Sequence, residues 1–179
     1  KEGVIHLMGP KLTVPKSRVQ IPSDVSSALF FICLSLMINQ PITFKNIGLN
    51  PSRTGCLEVL QMMGASIRIL NQTDAYEPMG DIEVTPSSEL SNISIPLNLI
   101  PNIIDELPIF AVLATSATGT FKVRGAQELR VKESDRIDGI CRLMGALGAK
   151  VTEYDDGFDI HGPIQEKSNL SFDAKFDHR

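Results

Sequence analysis

The sequence predicts an α/β fold made of repeated β-α-β-α-β-β units, with helices packed together on the inside and sheets on the outside. Two observations carry this expectation. The chain contains an internal repeat, and within each copy helix-like and strand-like hydrophobic periods alternate. A third bounds it: 179 residues with 42% apolar and 21% charged side chains make an ordinary globular chain, which excludes disorder, collagen-like repeats and coiled coil.

The repeat is read residue by residue. The first copy runs through Asp24, Leu29-Phe30-Phe31, Thr43-Phe44-Lys45, Ser52-Arg53 and Met63-Gly64-Ala65. The second runs through Asp105, Ile109-Phe110-Ala111, Thr120-Phe121-Lys122, Asp135-Arg136 and Leu147-Gly148-Ala149. The pairs Asp24/Asp105, Thr43/Thr120, Arg53/Arg136 and Gly64/Gly148 lie 81, 77, 83 and 84 positions apart, shifts that small loop insertions produce.

The elements follow in order. A strand is expected near Val19-Gln20-Ile21, then a helix over Val25 to Met37 that is apolar nearly all round and so buried on most sides. Ile42 to Ile47 alternates and is β-branched, which predicts a strand. Arg53 to Met63 is a helix stopped by Gly64, and Ser66 to Leu70 and Asp81 to Val84 are strands. The second copy repeats the order. It has a strand at Ile93-Ser94-Ile95, a helix near Glu106 to Ala117 and a strand at Thr120 to Val123. A helix over Ser134 to Leu147 and strands at Lys150 to Glu153 and Phe158 to His161 complete it. The expected division is a tail and linking strand over 1–17, which includes a strand at Gly3 to Met8, and an incomplete domain over 18–179. Within that domain, unit 1 covers about 18–85, unit 2 about 92–162 and the start of a third unit about 169–179. Right-handed crossovers lay the helices of such units against one sheet face.

Charge and cysteine usage narrow the function classes. With 17 basic and 21 acidic residues the net charge is −4, so nothing global attracts nucleic acid or an anionic membrane, and any bound anion needs a local cationic cluster. The longest apolar stretch, Ala28 to Ile38, is about half the ~20 residues that span a bilayer. Cys33, Cys56 and Cys141 lie far apart, and His6, His161 and His178 are scattered, so no metal-ligand spacing arises. Buried thiols in a reducing compartment, with no leader-like opening segment, point to the cytoplasm.

Chemistry concentrates in Glu128-Leu129-Arg130-Val131-Lys132-Glu133-Ser134-Asp135-Arg136, where seven of nine side chains are ionisable or hydroxyl-bearing, just ahead of a long helix. Ser134 or Asp135 can cap that helix, with Lys132 and Arg136 adding cationic donors beside its N-terminus. The plainer account is a solvated helix start with a cap and i,i+4 charge pairs. Asp105, between the apolar segment Leu99 to Ile104 and a helix starting near Leu107, is either a helix cap or a general base in partly apolar surroundings.

At Arg130 to Arg136 the sequence resembles the 5-enolpyruvylshikimate-3-phosphate synthases (3-phosphoshikimate 1-carboxyvinyltransferases), and the resemblance runs along nearly the whole chain. Pro22-Ser23-Asp24-Val25-Ser26-Ser27-Ala28 is similar to the family's P-G-D-x-S-S-A segment, with Ser23 in place of Gly. Asn50-Pro51-Ser52-Arg53-Thr54-Gly55, Ile104-Asp105-Glu106-Leu107-Pro108, Glu128 through Arg136 and Asp177-His178-Arg179 are similar to four further family motifs, in the same order. The resemblance implies transfer of the enolpyruvyl group of phosphoenolpyruvate to the 5-hydroxyl of shikimate 3-phosphate, through addition and elimination, with no metal or organic cofactor. It implies that Asp105 accepts the hydroxyl proton and binds shikimate, and that Lys132 contacts shikimate 3-phosphate. Glu133 would exchange the proton at the phosphoenolpyruvate methylene, and Arg136 and Arg179 would hold the phosphoenolpyruvate carboxylate. Glu128 stands where some members carry an Asn facing shikimate. The implied fold is the inverse α/β prism of enolpyruvyl transferases, with the third unit truncated and the other domain's shikimate 3-phosphate residues missing. The isolated chain is therefore expected to be inactive and, with an apolar helix face uncovered, prone to self-association, whereas the parent would be monomeric. The alternatives are a UDP-N-acetylglucosamine enolpyruvyl transferase, or a non-catalytic module that binds a phosphorylated ligand.

Overall fold

The helix from Val25 to Met37 (α1) begins where Asp24, in an extended conformation, accepts hydrogen bonds from the backbone N–H groups of Ser26 (3.3 Å) and Ser27 (3.1 Å). That is the capping geometry for which short polar side chains are favoured. In the computed structural model, which describes residues 9, 18–74, 76–86, 89–165, 171, 173 and 177, α1 is followed by β1 (Ile42–Gly48) and α2 (Gly55–Met62). Then come β2 (Ser66–Thr73) and β3 (Met79–Thr85). The second half runs α3 (Ile100–Ile103), a 3-10 turn (Ile104–Glu106), α4 (Leu107–Ala114) and β4 (Gly119–Val123). A second 3-10 turn (Gln127–Val131), α5 (Arg136–Leu147), β5 (Lys150–Tyr154) and β6 (Gly157–Gly162) complete it. Gly64 and Gly148, at φ 98° and 105°, take the left-handed conformation that closes α2 and α5.

Each half builds one antiparallel three-stranded sheet with the same topology, β1-β3-β2 and β4-β6-β5. The last strand of each half is central. Its register puts Ile82 opposite Phe44 and Ile160 opposite Phe121. Ile82, Val84, Phe121, Val123, Phe158 and Ile160 are fully buried on the inner faces, against a helical layer in which α1 packs on α4 and α4 on α5. Phe110 of α4 stacks on Phe121 at 6.3 Å between ring centroids. No helix among the described residues is long and apolar enough to cross a membrane.

The leading strand expected in each half is reduced to single parallel bridges, Ser23 to Ile47 in the first and Ser91 to Thr118 and Ser94 to Lys122 in the second. Pro22 and Pro96 flank these contacts and carry no N–H, so a ladder cannot extend through them. The helix expected over Glu106 to Ala117 instead spans Leu107–Ala114, after a break into α3 and the 3-10 turn. Pro101 and Pro108 each sit at the first or second position of a new helical start, where a missing N–H does no harm. Asp135, not Ser134, caps α5, accepting from the backbone N–H of Asp138 at 3.0 Å. The strand expected at Gly3 to Met8 lies outside the described residues.

Sheet one carries a buried acid that holds two bulges. Asn46 and Asn71 take positive φ (55° and 51°), and pairing with β3 slips between Phe44 and Ile47 and between Leu70 and Thr73. Asn tolerates that conformation better than most residues. Asp81 of β3 sits between them, accepting from Lys45 Nζ (2.7 Å), Asn71 Nδ2 (2.7 Å) and the Asn46 backbone N–H (3.0 Å). These bonds, that from Lys45 foremost, hold its carboxyl down to about 2, against an ordinary value of 3.8. A depressed folded-state value contributes stability that is fully present above the unfolded value and is lost as pH falls through the folded one. Melting temperature should therefore fall between about pH 4 and pH 2 in the parent, and fall less steeply in Asp81→Asn. Parallel melting curves for the two proteins across that window would refute the assignment.

Candidate functional site

The break before α4 decides where Asp105 points. It lies in the 3-10 turn Ile104–Glu106, which is flanked by Ile103 and Leu107, both fully buried. The cap position of α4 thus falls on Glu106 rather than on Asp105. Its half-buried carboxylate faces the start of α5, where Oδ1 lies 3.2 Å from Arg136 Nη1 and 3.9 Å from Lys132 Nζ.

The segment ahead of α5 is held by Arg130. Its guanidinium donates to Asp135 Oδ2 (2.7 Å), Glu153 Oε1 (2.9 Å) and the backbone carbonyls of Tyr154 (2.7 Å) and Asp155 (2.8 Å). It ties the segment to the β5–β6 turn, and its own pKa is raised by the bonds it donates to Asp135 and Glu153. Burial opposes the charge on Asp135, but the Asp138 N–H and Arg130 prevail and leave its pKa lowered. With the cap in place, the first residue of α5 is Arg136, only 5% exposed at its side chain.

Arg136 is the hub. Nη2 donates to Glu133 Oε2 at 2.6 Å, Nη1 to Asp105 at 3.2 Å, Nε to Asp177 Oδ2 at 2.9 Å, and Nη2 also to Asp177 Oδ1 at 3.2 Å. Burial works against its charge, yet Asp177, Glu133 and Asp105 outweigh burial and raise its pKa. Lys132 pairs with Glu128 at 2.7 Å, the main reason its pKa is raised, with Asp105 adding to the effect. Asp105, Lys132, Glu133 and Arg136 therefore converge in one cluster. Arg179, expected to join them, lies outside the described residues. Asp177, two positions earlier, is described, and it also accepts from Ser134 Oγ at 2.7 Å, placing that part of the Asp177-His178-Arg179 motif against the start of α5.

Several members of the cluster are invisible to sequence reasoning. Asp177 and Ser134 stand within motifs that say nothing of their pairing, and Arg130 reads only as one charge in a run. The repeat itself holds a signal: Asp24 and Arg53, the counterparts of Asp105 and Arg136, also pair, at 3.3 Å. That first-half pair is half exposed, at 51% and 53%, and its Asp serves as a cap. The equivalent contact thus sits in water in one half, whereas in the other its guanidinium is buried and serves two further carboxylates.

Comparison with known proteins places this geometry in context. A family model described as EPSP synthase (3-phosphoshikimate 1-carboxyvinyltransferase) matches residues 3–179. The chain is similar to the 3-phosphoshikimate 1-carboxyvinyltransferase of Petrotoga mobilis, 47% identical over 161 residues, which cover 89% of the chain and 37% of that protein. It is 43% identical to that of Gloeothece citriformis over 177 residues, 98% of the chain and 39% of the relative. The chain thus spans less than two-fifths of the length of these curated relatives. Among solved structures it is similar to an EPSP synthase from Acinetobacter baumannii, with a TM-score of 0.78 and 38% identity over 82% of the chain and 34% of that structure. The enolpyruvyl transferase NikO from Streptomyces tendae, at 18% identity and a TM-score of 0.52, shares the fold.

Proposed function

The chain belongs to the EPSP synthase (3-phosphoshikimate 1-carboxyvinyltransferase) family, and on that premise we propose that it supplies one wall of an enolpyruvyl transfer site. Phosphoenolpyruvate would be the donor and the 5-hydroxyl of shikimate 3-phosphate the acceptor, in a cytoplasmic reaction that releases phosphate. The observation that carries the reading is the convergence of Asp105, Lys132, Glu133 and Arg136 from two separate segments of the second half.

The chemistry follows from these groups. Asp105 takes the hydroxyl proton as the oxygen attacks C2 of phosphoenolpyruvate, and Glu133 delivers a proton to the methylene carbon. A tetrahedral ketal phosphate forms. Glu133 then removes a proton from that carbon as the C2–O bond to phosphate breaks, restoring the double bond, and the departing phosphate takes up the proton that Asp105 received. Lys132 meets the shikimate 3-phosphate anion. The Arg136 fork, with Arg179, suits the planar phosphoenolpyruvate carboxylate. Positioning, charge neutralisation and proton transfer supply the acceleration.

The wall is one side of a site in a longer protein, whose remaining parts supply the other phosphate contacts and complete a third repeat begun near 169–179. The longer protein, assayed for phosphate release, should transfer enolpyruvyl to shikimate 3-phosphate and not to UDP-N-acetylglucosamine, whereas the isolated chain should release none. Transfer to the nucleotide sugar, or turnover by the chain alone, would overturn the proposal. A stripe on α1 supports the incomplete repeat: Phe30, Phe31, Leu34 and the adjoining Ile38 are each 45–58% exposed, an apolar face of the kind that mediates association. The isolated chain should form dimers or larger species in sedimentation velocity, and Phe31→Glu should return it to a monomer. An unsubstituted isolated chain that stays monomeric at high concentration would remove that support.

A further inference from the structure

We propose that Ser26 and Glu106 form a positioning pair that sets Asp105 from the other half of the molecule; the inference rests on the role proposed for Asp105. Asp105 and Glu106 are consecutive in a 3-10 turn, where three residues complete one revolution, so their side chains leave in different directions. Asp105 faces Arg136 and Lys132. Glu106 faces inward and is buried, and its Oε1 accepts a hydrogen bond from Ser26 Oγ across a separation of 80 residues.

The pair is built into both halves. Ser26, also buried, lies in the first turn of α1, fixed by the Asp24 cap. Its single hydroxyl proton goes to Glu106, and its oxygen accepts from Arg53 Nη2 at 2.8 Å. Arg53 is itself steadied by Asp24 at 3.3 Å. A relay from Asp24 through Arg53 and Ser26 therefore ends on the residue next to Asp105. A carboxylate inside an apolar helical layer is costly to bury, and a bond to a charged acceptor is stronger and more directional than packing. The turn is only three residues long, between α3 and α4, so this bond adds a side-chain anchor from the other half of the molecule to the rotation that sets which way Asp105 faces. Displacement of a reacting group by about 1 Å can cost about 100-fold in rate.

The test uses the full-length enzyme and reads kcat and KM at a temperature well below each variant's unfolding midpoint. Ser26→Ala should lower kcat by about 10- to 100-fold while KM for both substrates moves only a few-fold. Ser26→Thr, which keeps the hydroxyl, and Glu106→Gln, which keeps an acceptor oxygen, should stay within a few-fold of the parent. Glu106→Leu, similar in volume but without an acceptor, should fall with Ser26→Ala. A purely structural contact would lower the midpoint and leave kcat unchanged in the folded enzyme; that result for Ser26→Ala overturns the proposal, whether or not Glu106→Leu folds. Asp105→Ala belongs in the same series. If it retains turnover, the proposed role of Asp105 fails. If it is inactive while Ser26→Ala is fully active, only the positioning role fails.

Discussion

Replacing Arg136 by alanine is expected to destabilise the chain by about 3 kcal/mol or more, the range found when one member of a buried ion pair is removed. The size follows from what the guanidinium leaves behind. Its side chain is 5% exposed, and that of Asp177, bonded at both carboxylate oxygens, is 7% exposed. Asp105 and Glu133 can turn toward water, but Asp177 keeps a desolvated charge, for which the neutral Ser134 hydroxyl is a weaker partner than the guanidinium. Arg136→Lys should recover little, because a point charge cannot serve three carboxylates in the plane of a fork. Joint replacement by Arg136→Met and Asp177→Leu should recover most of the loss, since a packed apolar pair is often no worse than a buried ion pair. Urea denaturation supplies the measurement. A loss under about 1 kcal/mol for Arg136→Ala would mean the cluster behaves like a surface pair.

Glu133→Gln in the full-length enzyme should lower kcat by at least about 100-fold, the usual scale for a positioned proton donor or acceptor. Binding of shikimate 3-phosphate should change little, because the amide keeps the shape and an acceptor oxygen for Arg136 but cannot serve as acid or base. Glu133 is well placed for proton exchange. Its carboxylate is anchored at 2.6 Å by Arg136, while half of the side chain stays open to solvent that can replenish a proton. The sharpest readout is isotopic. Phosphoenolpyruvate incubated in heavy water with enzyme and shikimate 3-phosphate should acquire deuterium at its methylene with the parent and not with the variant. Unchanged turnover would favour the non-catalytic module, and lost binding would reassign Glu133 as a ligand contact.

Much of this is legible in the sequence because the repeat and the punctuation agree. Val25 to Met37 is readable to the residue, since Asp24 is a cap and the segment is apolar on nearly every side. Gly64 and Gly148 mark the ends of α2 and α5 for the same conformational reason in both halves. The leading strands are overread. Val19 to Ile21 and Ile93 to Ile95 have strand composition, but whether a neighbouring backbone accepts their hydrogen bonds is a tertiary matter, and Pro22 and Pro96 limit each pairing to isolated bridges. The break at Ile104–Glu106 is equally hidden, because its surroundings are largely apolar and only the placement of Pro101 and Pro108 hints at a restart. Local density of charge picks out Lys132, Glu133 and Arg136 as candidates. Their connections stay hidden, because Ser26 to Glu106 and Arg136 to Asp177 link positions 80 and 41 residues apart.

Filling of the Arg136 fork carries a consequence for ligand entry. Four of its five N–H donors already point at acidic side chains on three sides, so an incoming carboxylate cannot take a two-pronged grip without displacing one of them. Around it, the described acids Asp105, Glu128, Glu133 and Asp177 outnumber the cations Lys132 and Arg136 that pair with them. A doubly or triply negative metabolite can lodge there only by exchanging partners with Asp105 or Glu133, and only if further positive charge arrives from outside the cluster. Under the proposed function, admission of substrate and the freeing of the base are thereby one event: the arriving anion releases the carboxylate that must next pick up a proton.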